Sequence, residues 1–217
     1  MKKLSSIIVL LFGLVYTNTA QNVTIGNQIW MAKNLDVSTF RNGDPIPEIK
    51  SEEEWQMAEE NGQPAWCYFD NDPANGEKYG KLYNWHAVND PRGLAPEGWH
   101  IPSEDELDEL INFLGGIDLA GVKMKTSLGW DDYIKPFGTK ESWKGTNESK
   151  FSGLPGGLRY SNGNFMFLGI SGSWWSTVEI DETTILRNYF TLYHDSPLVH
   201  GFDSDISDGI SVRCLKD

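Results

Sequence analysis

Apolar residues recur at helical spacing in two stretches of the chain. In the longer stretch they fall at i, i+3, i+4 and i+7, which places them on one face of a helix. Ser103 precedes this stretch as an N-cap, Glu106 completes a capping-box pattern, and Gly115–Gly116 stops the helix. The pattern predicts a helix over Ser103–Leu114 that buries Leu107, Leu110, Ile111 and Leu114.

The second stretch follows the same logic. Ser51 is the N-cap, Glu54 stands three residues later, Trp55 and Ala58 face inward, and Asn61–Gly62 ends the helix. Acidic residues are concentrated in the first turn of both predicted helices, where the helix dipole favours negative charge. We interpret them as capping residues and not as catalytic carboxylates.

The rest of the pattern is typical of short strands and long loops. Five stretches alternate apolar and polar residues or are rich in β-formers. Periodicity is weak between residues 119 and 165, which predicts long irregular loops there. The predicted fold class is α+β, with two capped helices packed on small mixed antiparallel sheets. The predicted strands lie in Gln28–Ala32, Ala65–Phe69, Gly80–Trp85, Tyr189–Tyr193 and Ile210–Cys214.

Residues 1–20 have the anatomy of a secretory signal peptide. Two lysines precede the apolar run Ile7–Val15, which is too short to span a bilayer, and small polar residues lead to Ala20. Cleavage after Ala20 leaves residues 21–217, in which no linker or repeat interrupts a single domain. No cysteine lies near the cut, which argues against a lipoprotein. We expect a secreted, periplasmic or cell-surface protein.

The chain is strongly acidic, with a formal net charge of −13 that becomes more negative once the lysines of the leader are removed. Binding to nucleic acid or anionic lipid needs lysine and arginine to neutralise phosphates. We therefore expect neither nucleic acid as a partner nor membrane insertion of the processed chain.

Four blocks, in order, carry a family resemblance: Ala95–Glu106, Gly153–Tyr160, Gly172–Thr177 and Gly209–Cys214. They resemble the Fibrobacter succinogenes major paralogous domain, a family of secreted bacterial proteins. They resemble more distantly the formylglycine-generating (sulfatase-modifying) branch of the C-type-lectin-like fold. The resemblance runs from about Ile25 to the C-terminus. It implies a single lectin-like domain, and it implies no settled activity.

Catalytic motifs are missing from the sequence. It has no His-Glu-x-x-His, Walker loop, dinucleotide fingerprint or nucleophile elbow. Formylglycine-generating enzymes depend on a pair of reactive cysteines near the C-terminal end, where this chain has only Cys214. The four histidines are isolated, and His100 between Trp99 and Ile101 is interpreted as structural. The protein is predicted not to be an enzyme.

Tryptophans are the candidate ligand-binding residues, because indole rings in loops can stack on sugars. The segment around Trp174–Trp175 is predicted to be a strand with the two indoles on opposite faces, so at least one belongs to the core. Trp130–Asp131–Asp132 resembles the Trp-Asn-Asp calcium motif of C-type lectins. The Glu-Pro-Asn or Gln-Pro-Asp partner motif is absent. The candidates are Trp130, Trp143, Trp174 and Trp175.

Two acidic segments are candidate calcium sites, since calcium prefers a flexible shell of oxygen ligands. The alternatives are an Asx/Pro turn for the first segment and a solvated loop for the second. The first comprises Asp70, Asp72, Asn75 and Glu77, and the second comprises Asp203, Asp205 and Asp208.

The two cysteines, Cys67 and Cys214, have one way to pair in an oxidising compartment. Lectin-like folds bring early and terminal segments into one sheet, so the resemblance favours a disulfide. The alternative is that both are unpaired and buried as small hydrophobes.

The predicted function is an exported, non-catalytic binding or surface-interaction module, with a glycan as the candidate ligand. Two alternatives stay open. One is a structural or adhesion protein whose partner is another protein, and the other is an enzyme of unrecognised type.

Overall fold

The computed structural model describes residues 22–134, 140–141, 143–181, 184–203 and 208–217. The predicted leader, residues 1–20, lies outside these residues, as does Asp205 of the second candidate calcium segment. Within the described residues, no helix is long and apolar enough to cross a membrane.

Short helices and strands alternate along most of the chain, and the long strands come late. The helices are α1 (Glu52–Glu60), α2 (Pro73–Tyr79), α3 (Trp85–Val88), α4 (Glu104–Phe113) and α5 (Ile117–Met124), with a 3-10 turn at Phe69–Asn71. The strands are β1 (Asn22–Ile25), β2 (Gln28–Met31), β3 (Trp66–Cys67), β4 (Leu82–Tyr83), β5 (Trp99–His100), β6 (Tyr133–Ile134), β7 (Lys140–Glu141), β8 (Gly156–Arg159), β9 (Phe165–Leu168), β10 (Ser171–Asp181), β11 (Thr184–Tyr193), β12 (Val199–Asp203) and β13 (Leu215–Lys216).

The described strands form two larger sheets and two small ribbons. One sheet has the order β12-β11-β10-β8-β9, in which β10 and β8 are parallel and the other neighbours are antiparallel. The other has the order β1-β2-β13-β5, so the strand nearest the C-terminus lies between strands from the first half of the chain. β3 pairs with β4, and β6 pairs with β7. The chain is therefore α+β, as the sequence predicts.

β10 lies between two hydrophobic clusters and supplies a tryptophan to each. Trp174 packs with Trp30, Phe151 and Phe190 in one cluster, and its ring stacks on Phe190 at 5.3 Å. Trp175, on the opposite face of the strand, packs with Trp85 in the second cluster. Consecutive residues of a strand point to opposite faces, so this one dipeptide joins the two halves of the core.

Both predicted helices are present. In α4, Ser103 and Glu106 form a capping box, and the four predicted core residues are all buried. In α1, the side chain of Ser51 accepts from the Glu54 amide, and Trp55 and Ala58 are buried. Local capping and apolar spacing decide these two helices, which is why the sequence reveals them.

Several elements differ from the prediction. α2, α3 and α5 are absent from it because they are short and their apolar spacing is weak. The predicted strand Ile210–Cys214 is wrong over most of its length. Ile210 and Ser211 make isolated bridges to Tyr83 and Trp174, and strand pairing resumes at β13. Long-range contacts, and not local β-propensity, place this segment.

The predicted disulfide is also wrong, because both cysteines are free and buried. Cys67 lies in the β3–β4 ribbon and packs with Trp55, while Cys214 packs with Met31 in a different cluster beside the four-stranded sheet. Early and terminal segments do meet in one sheet, but the strand that carries Cys67 is not part of it. Burial raises the pKa of each thiol to about 12.

We predict that the native protein resists thiol alkylation. With a pKa of about 12, each thiol is almost entirely protonated at pH 8, and the thiolate is the reactive species. Iodoacetamide should label neither cysteine in the folded protein and both in urea, as read by intact mass. The melting temperature should not change with reductant. A protein that stays unlabelled in urea and melts lower with reductant would contradict this.

We predict that Leu110→Ala lowers the free energy of unfolding by about 2–5 kcal/mol, because it removes a buried side chain from a packed core. Leu110 is 1 % exposed on the inner face of α4. Urea unfolding at neutral pH measures the change. Glu109→Ala, on the exposed side of the same helix, is the matched control and should change the stability by less than about 0.5 kcal/mol. Equal effects of the two substitutions would refute the packing assignment.

Candidate functional site

One face of β11 carries a row of half-buried tyrosines, of which Tyr189 packs against the cluster that contains Trp175. Tyr189, Thr191 and Tyr193 alternate toward this face, while Phe190 and Leu192 enter the core on the other side. The prediction of a half-buried strand at Tyr189–Tyr193 is therefore confirmed. Its polar face, however, consists mainly of tyrosines.

Neighbouring strands extend this row into a surface. The ring of Tyr193 lies 5.2 Å from the imidazole of His200 on β12. Tyr160, after β8, lies 6.1 Å from the ring of Phe167 on β9. We call these five residues the aromatic surface: Tyr160, Phe167, Tyr189, Tyr193 and His200. All are of intermediate exposure.

Buried hydroxyl groups lie beside the tyrosines, on the same face of the sheet. Ser173 Oγ and Thr191 Oγ1 are 2.8 Å apart on paired positions of β10 and β11. Ser171 pairs with Tyr193 one step along the same ladder, and all three of these hydroxyl residues are 1 % exposed. Hydrogen bonding across the strand pair satisfies the Ser173 and Thr191 groups, which fixes the frame on which the tyrosines stand.

The hydroxyls of Tyr189 and Tyr193 stay neutral across the physiological range. Burial raises the pKa of Tyr189 to about 12, and the charges of Asp208 and the neighbouring phenols act in the same direction. Burial also raises the pKa of Tyr193, with smaller effects of Tyr160 and Asp195. A neutral phenol both donates and accepts hydrogen bonds. The surface therefore combines apolar ring faces with groups that suit hydroxylated ligands.

Asp208 closes one end of the surface. It is 3 % exposed, its Oδ1 accepts the Ser161 amide at 3.0 Å, and burial raises the pKa of its carboxyl to about 6. Asp208 belongs to the second candidate calcium segment, but it is enclosed at this position. Asp203 ends β12, and Asp205 is outside the described residues.

The Trp130 loop lies near the end of β11, and the Trp130 ring packs against the cluster that contains Phe190 and Leu192. Its indole nitrogen donates to Thr126 Oγ1 at 3.1 Å, and the Nζ of the fully buried Lys125 lies 5.3 Å from its ring. The same Nζ donates to the carbonyls of Tyr193 and Ser196 at 2.7 and 2.8 Å. Lys125 thus ties the Trp130 loop to the end of β11. Burial lowers the pKa of its ammonium group to about 8.

Two of the four candidate tryptophans cannot contact a ligand. Trp174 and Trp175 are 1 % and 0 % exposed, and their indole N–H groups donate to Asn34 Oδ1 and to the carbonyl of Tyr83. Their burial corrects the sequence-based assignment: both belong to the core. Trp143 is 39 % exposed, and Trp130 is half-buried against the cluster that contains Trp174 and Phe190.

The first candidate calcium segment forms the start of a helix. Asp72 is the N-cap of α2 and accepts from the Ala74 amide, while Asn75 Nδ2 donates to the carbonyl of Phe69. Asp70 adopts a left-handed backbone conformation in the preceding 3-10 turn, and Glu77 is exposed on α2. Among the residues that the structure describes, no group of three His, Cys, Asp or Glu side chains is placed to hold a metal. Asp72 therefore serves as a helix cap.

A second polar constellation surrounds His100. Its Nδ1 lies 2.8 Å from Asp217 Oδ1, and its Nε2 lies 2.9 Å from Glu106 Oε1. Burial alone would lower the pKa of His100, but the hydrogen bond to Asp217 and the charge of Glu106 raise it above its usual value. His100 therefore joins β5 to α4 and to the residue after β13. Both ring nitrogens are engaged, in agreement with the structural interpretation of this histidine.

Comparison with known proteins gives the family. The model of the Fibrobacter succinogenes major domain matches residues 23–216, nearly the whole chain, and the chain belongs to this bacterial family. The family suggests a surface or secreted protein. No curated protein matches, and no solved structure matches.

Sequence reasoning missed the tyrosines of the aromatic surface. Their signal was present in the alternation of Tyr189–Tyr193, but tyrosine is common in strands. Tyr160 and Phe167 approach Tyr189 and Tyr193 only through the pairing of β8 with β9 and β10. No spacing along the chain indicates that approach.

We predict that the ion pairs of His100 stabilise the protein in a pH-dependent way. Because folding raises this pKa, the stabilisation is complete below about 6.5, the pKa of an unperturbed imidazole, and is lost as the pH rises through the folded-state pKa. His100→Gln should therefore cost about 1 kcal/mol or less near pH 5.5, since partly exposed pairs are screened. The cost should vanish near pH 9.

Urea unfolding of both proteins at several pH values measures this difference. His194→Gln serves as the matched control for the loss of an imidazole outside the carboxylate pair. A difference between wild type and His100→Gln that stays constant from pH 5.5 to 9 would contradict the assignment.

Proposed function

We propose that the protein is an exported, non-catalytic binding module that holds a glycan on the aromatic surface. The observation that carries the proposal is the row of half-buried tyrosines with neutral hydroxyls on β11. Aromatic faces suit the apolar faces of sugar rings, and phenol groups suit their hydroxyls. Membership of a family of surface or secreted proteins supports export.

We also propose that the fold is lectin-like, with a distant relation to the formylglycine-generating branch. Small sheets, short helices and long connections support this proposal. The sugar contacts would differ from those of calcium-dependent lectins, since Asp72 caps α2 and Asp208 is buried.

The absence of catalysis is part of the proposal. Ser196 Oγ lies 2.9 Å from His200 Nε2, a contact that a catalytic serine also makes. However, Ser196 Oγ accepts the Leu198 amide at 3.1 Å, which is the geometry of a serine turn. We assign this pair to the connection between β11 and β12 and expect no turnover of bound glycan.

The test is a glycan array with the processed wild-type protein, followed by calorimetry on the best ligand. Tyr193→Ala and Tyr160→Ala should each weaken binding about two- to tenfold, because a stacked aromatic pair contributes about 0.5–1.5 kcal/mol. Tyr193→Phe keeps the ring and should lose less. Phe113→Ala is the matched control, since this ring is 63 % exposed on α4 against the Gly26 turn and outside the aromatic surface.

Chelator should leave glycan binding unchanged. Hydrolysis of the bound oligosaccharide would refute the non-catalytic assignment. An array without signal would refute glycan binding.

A protein partner is the second candidate function, and a separate observation favours it. Phe113, Ile117 and Leu119 are more than half exposed around the turn between α4 and α5, at 63 %, 54 % and 53 %. Exposed apolar residues that cluster are typical of protein contacts. Two results together would favour an adhesion or structural role. The glycan array would give no signal, and the protein would form a stable oligomer that the Ile117→Ser substitution dissociates.

A further inference from the structure

A concave site lies at the start of α4. It is a cleft of about 610 Å3, within the range of small-molecule sites. One wall is formed by Arg41 and the Gly93–Ala95 segment, and the other by His100 and the first turn of α4. Asn89, Ser103 and Thr177 add uncharged polar groups to the lining. This site is independent of the proposed glycan-binding function.

The guanidinium of Arg41 is fixed at the edge of the cleft. Its Nε donates to the carbonyl of Ala95 at 2.6 Å, and its Nη2 donates to the carbonyl of Trp99 at 2.7 Å. The aliphatic part of the side chain packs over Gly93, where an added Cβ would lie 3.1 Å from Arg41 Cδ. A side chain fixed in this way has already lost the rotamer freedom that binding would otherwise cost.

The charge of Arg41 has no anionic partner in the part of the chain that the structure describes. In so acidic a protein an exposed arginine is expected to pair with a carboxylate, and Arg92 does so. Arg92 Nη2 lies 2.8 Å from Asp90 Oδ2, and Arg92 Nη1 lies 3.2 Å from Asp44 Oδ2. Arg41 instead directs two of its nitrogens to backbone carbonyls, and Nη1 makes no hydrogen bond within the described residues. An exposed, fixed guanidinium with a free nitrogen is suited to a carboxylate ligand.

The opposite wall limits which anions can enter. Glu104 and Asp105 are exposed there, and Glu106 is paired with His100. Because His100 uses both ring nitrogens on carboxylates, it offers no further donor to an anion. A second negative charge on the ligand would face repulsion from α4. We propose that this cleft binds a small monocarboxylate with an uncharged polar body, anchored through its carboxylate by Arg41.

The experiment uses the processed chain and matched pairs of probes. Glucuronate is compared with glucose, and N-acetylalanine with its amide. Succinate and inorganic phosphate test the exclusion of a second charge. Chemical shifts of the Arg41 Nε–H group and of the Ala95 and Trp99 amides report on the cleft by NMR. At least one monocarboxylate should shift these signals saturably, whereas its neutral match should not.

Variants separate recognition from folding. Arg41→Gln should weaken monocarboxylate binding at least tenfold, and Arg41→Lys should retain part of it, since charge remains while the planar geometry is lost. Glu104→Gln, which changes an exposed side chain, should improve succinate binding relative to glucuronate. The inference is overturned if no monocarboxylate shifts the Arg41 signals, if Arg41→Gln binds as wild type does, or if succinate or phosphate binds wild type better. None of these results bears on glycan binding at the aromatic surface.

Discussion

The burial of positive charge without a carboxylate is the constraint that organises this fold. Arg213 is 1 % exposed, and its guanidinium donates to Asn34 Oδ1 and to the carbonyls of Met31 and Phe151. Its carbon centre lies 4.5 Å from the ring centroid of Phe151. Burial lowers the pKa of Arg213 to about 9, so the side chain keeps its charge at neutral pH. A buried charge is tolerated only when its hydrogen bonds are satisfied, so the segments that supply these acceptors are fixed in place.

Arg159 and Lys125 repeat this arrangement elsewhere. Arg159 is fully buried between the rings of Trp55 and Phe165, and its donors reach the carbonyls of Ile49, Lys50 and Ser51 just before α1. Lys125, at the end of α5, reaches the carbonyls at the end of β11. Carbonyl partners belong to the backbone, so each cation positions a chain segment irrespective of its side chains. Three such contacts connect segments far apart in sequence, in addition to the pairing of β13 with β2 and β5.

The sequence reveals what is decided locally and misses what these long-range contacts decide. The helix α4 is predicted correctly because Ser103, Glu106 and the apolar spacing all lie within about a dozen residues. The local sequence indicates neither the burial of Arg213 nor the unpaired state of Cys67. An arginine beside Cys214 and a cysteine in a predicted strand look ordinary until the pairing of strands is known. The sequence predicts that Trp174 and Trp175 point to opposite faces of a strand, and only the structure shows that both faces belong to the core.

The buried cations also determine where the candidate sites lie. Tyr160 directly follows Arg159, and Tyr193 supplies one of the carbonyls that hold Lys125. Two tyrosines of the aromatic surface are therefore anchored through the backbone, while their rings contact Phe167 and His200. The cleft at α4 also contains a cation that is held by backbone carbonyls, since Arg41 donates to the carbonyls of Ala95 and Trp99. Because the frame depends on backbone acceptors, the ring and hydroxyl groups of the two sites can change without disturbing the contacts that hold them. Such a separation of frame and surface lets one fold present different ligand-binding surfaces.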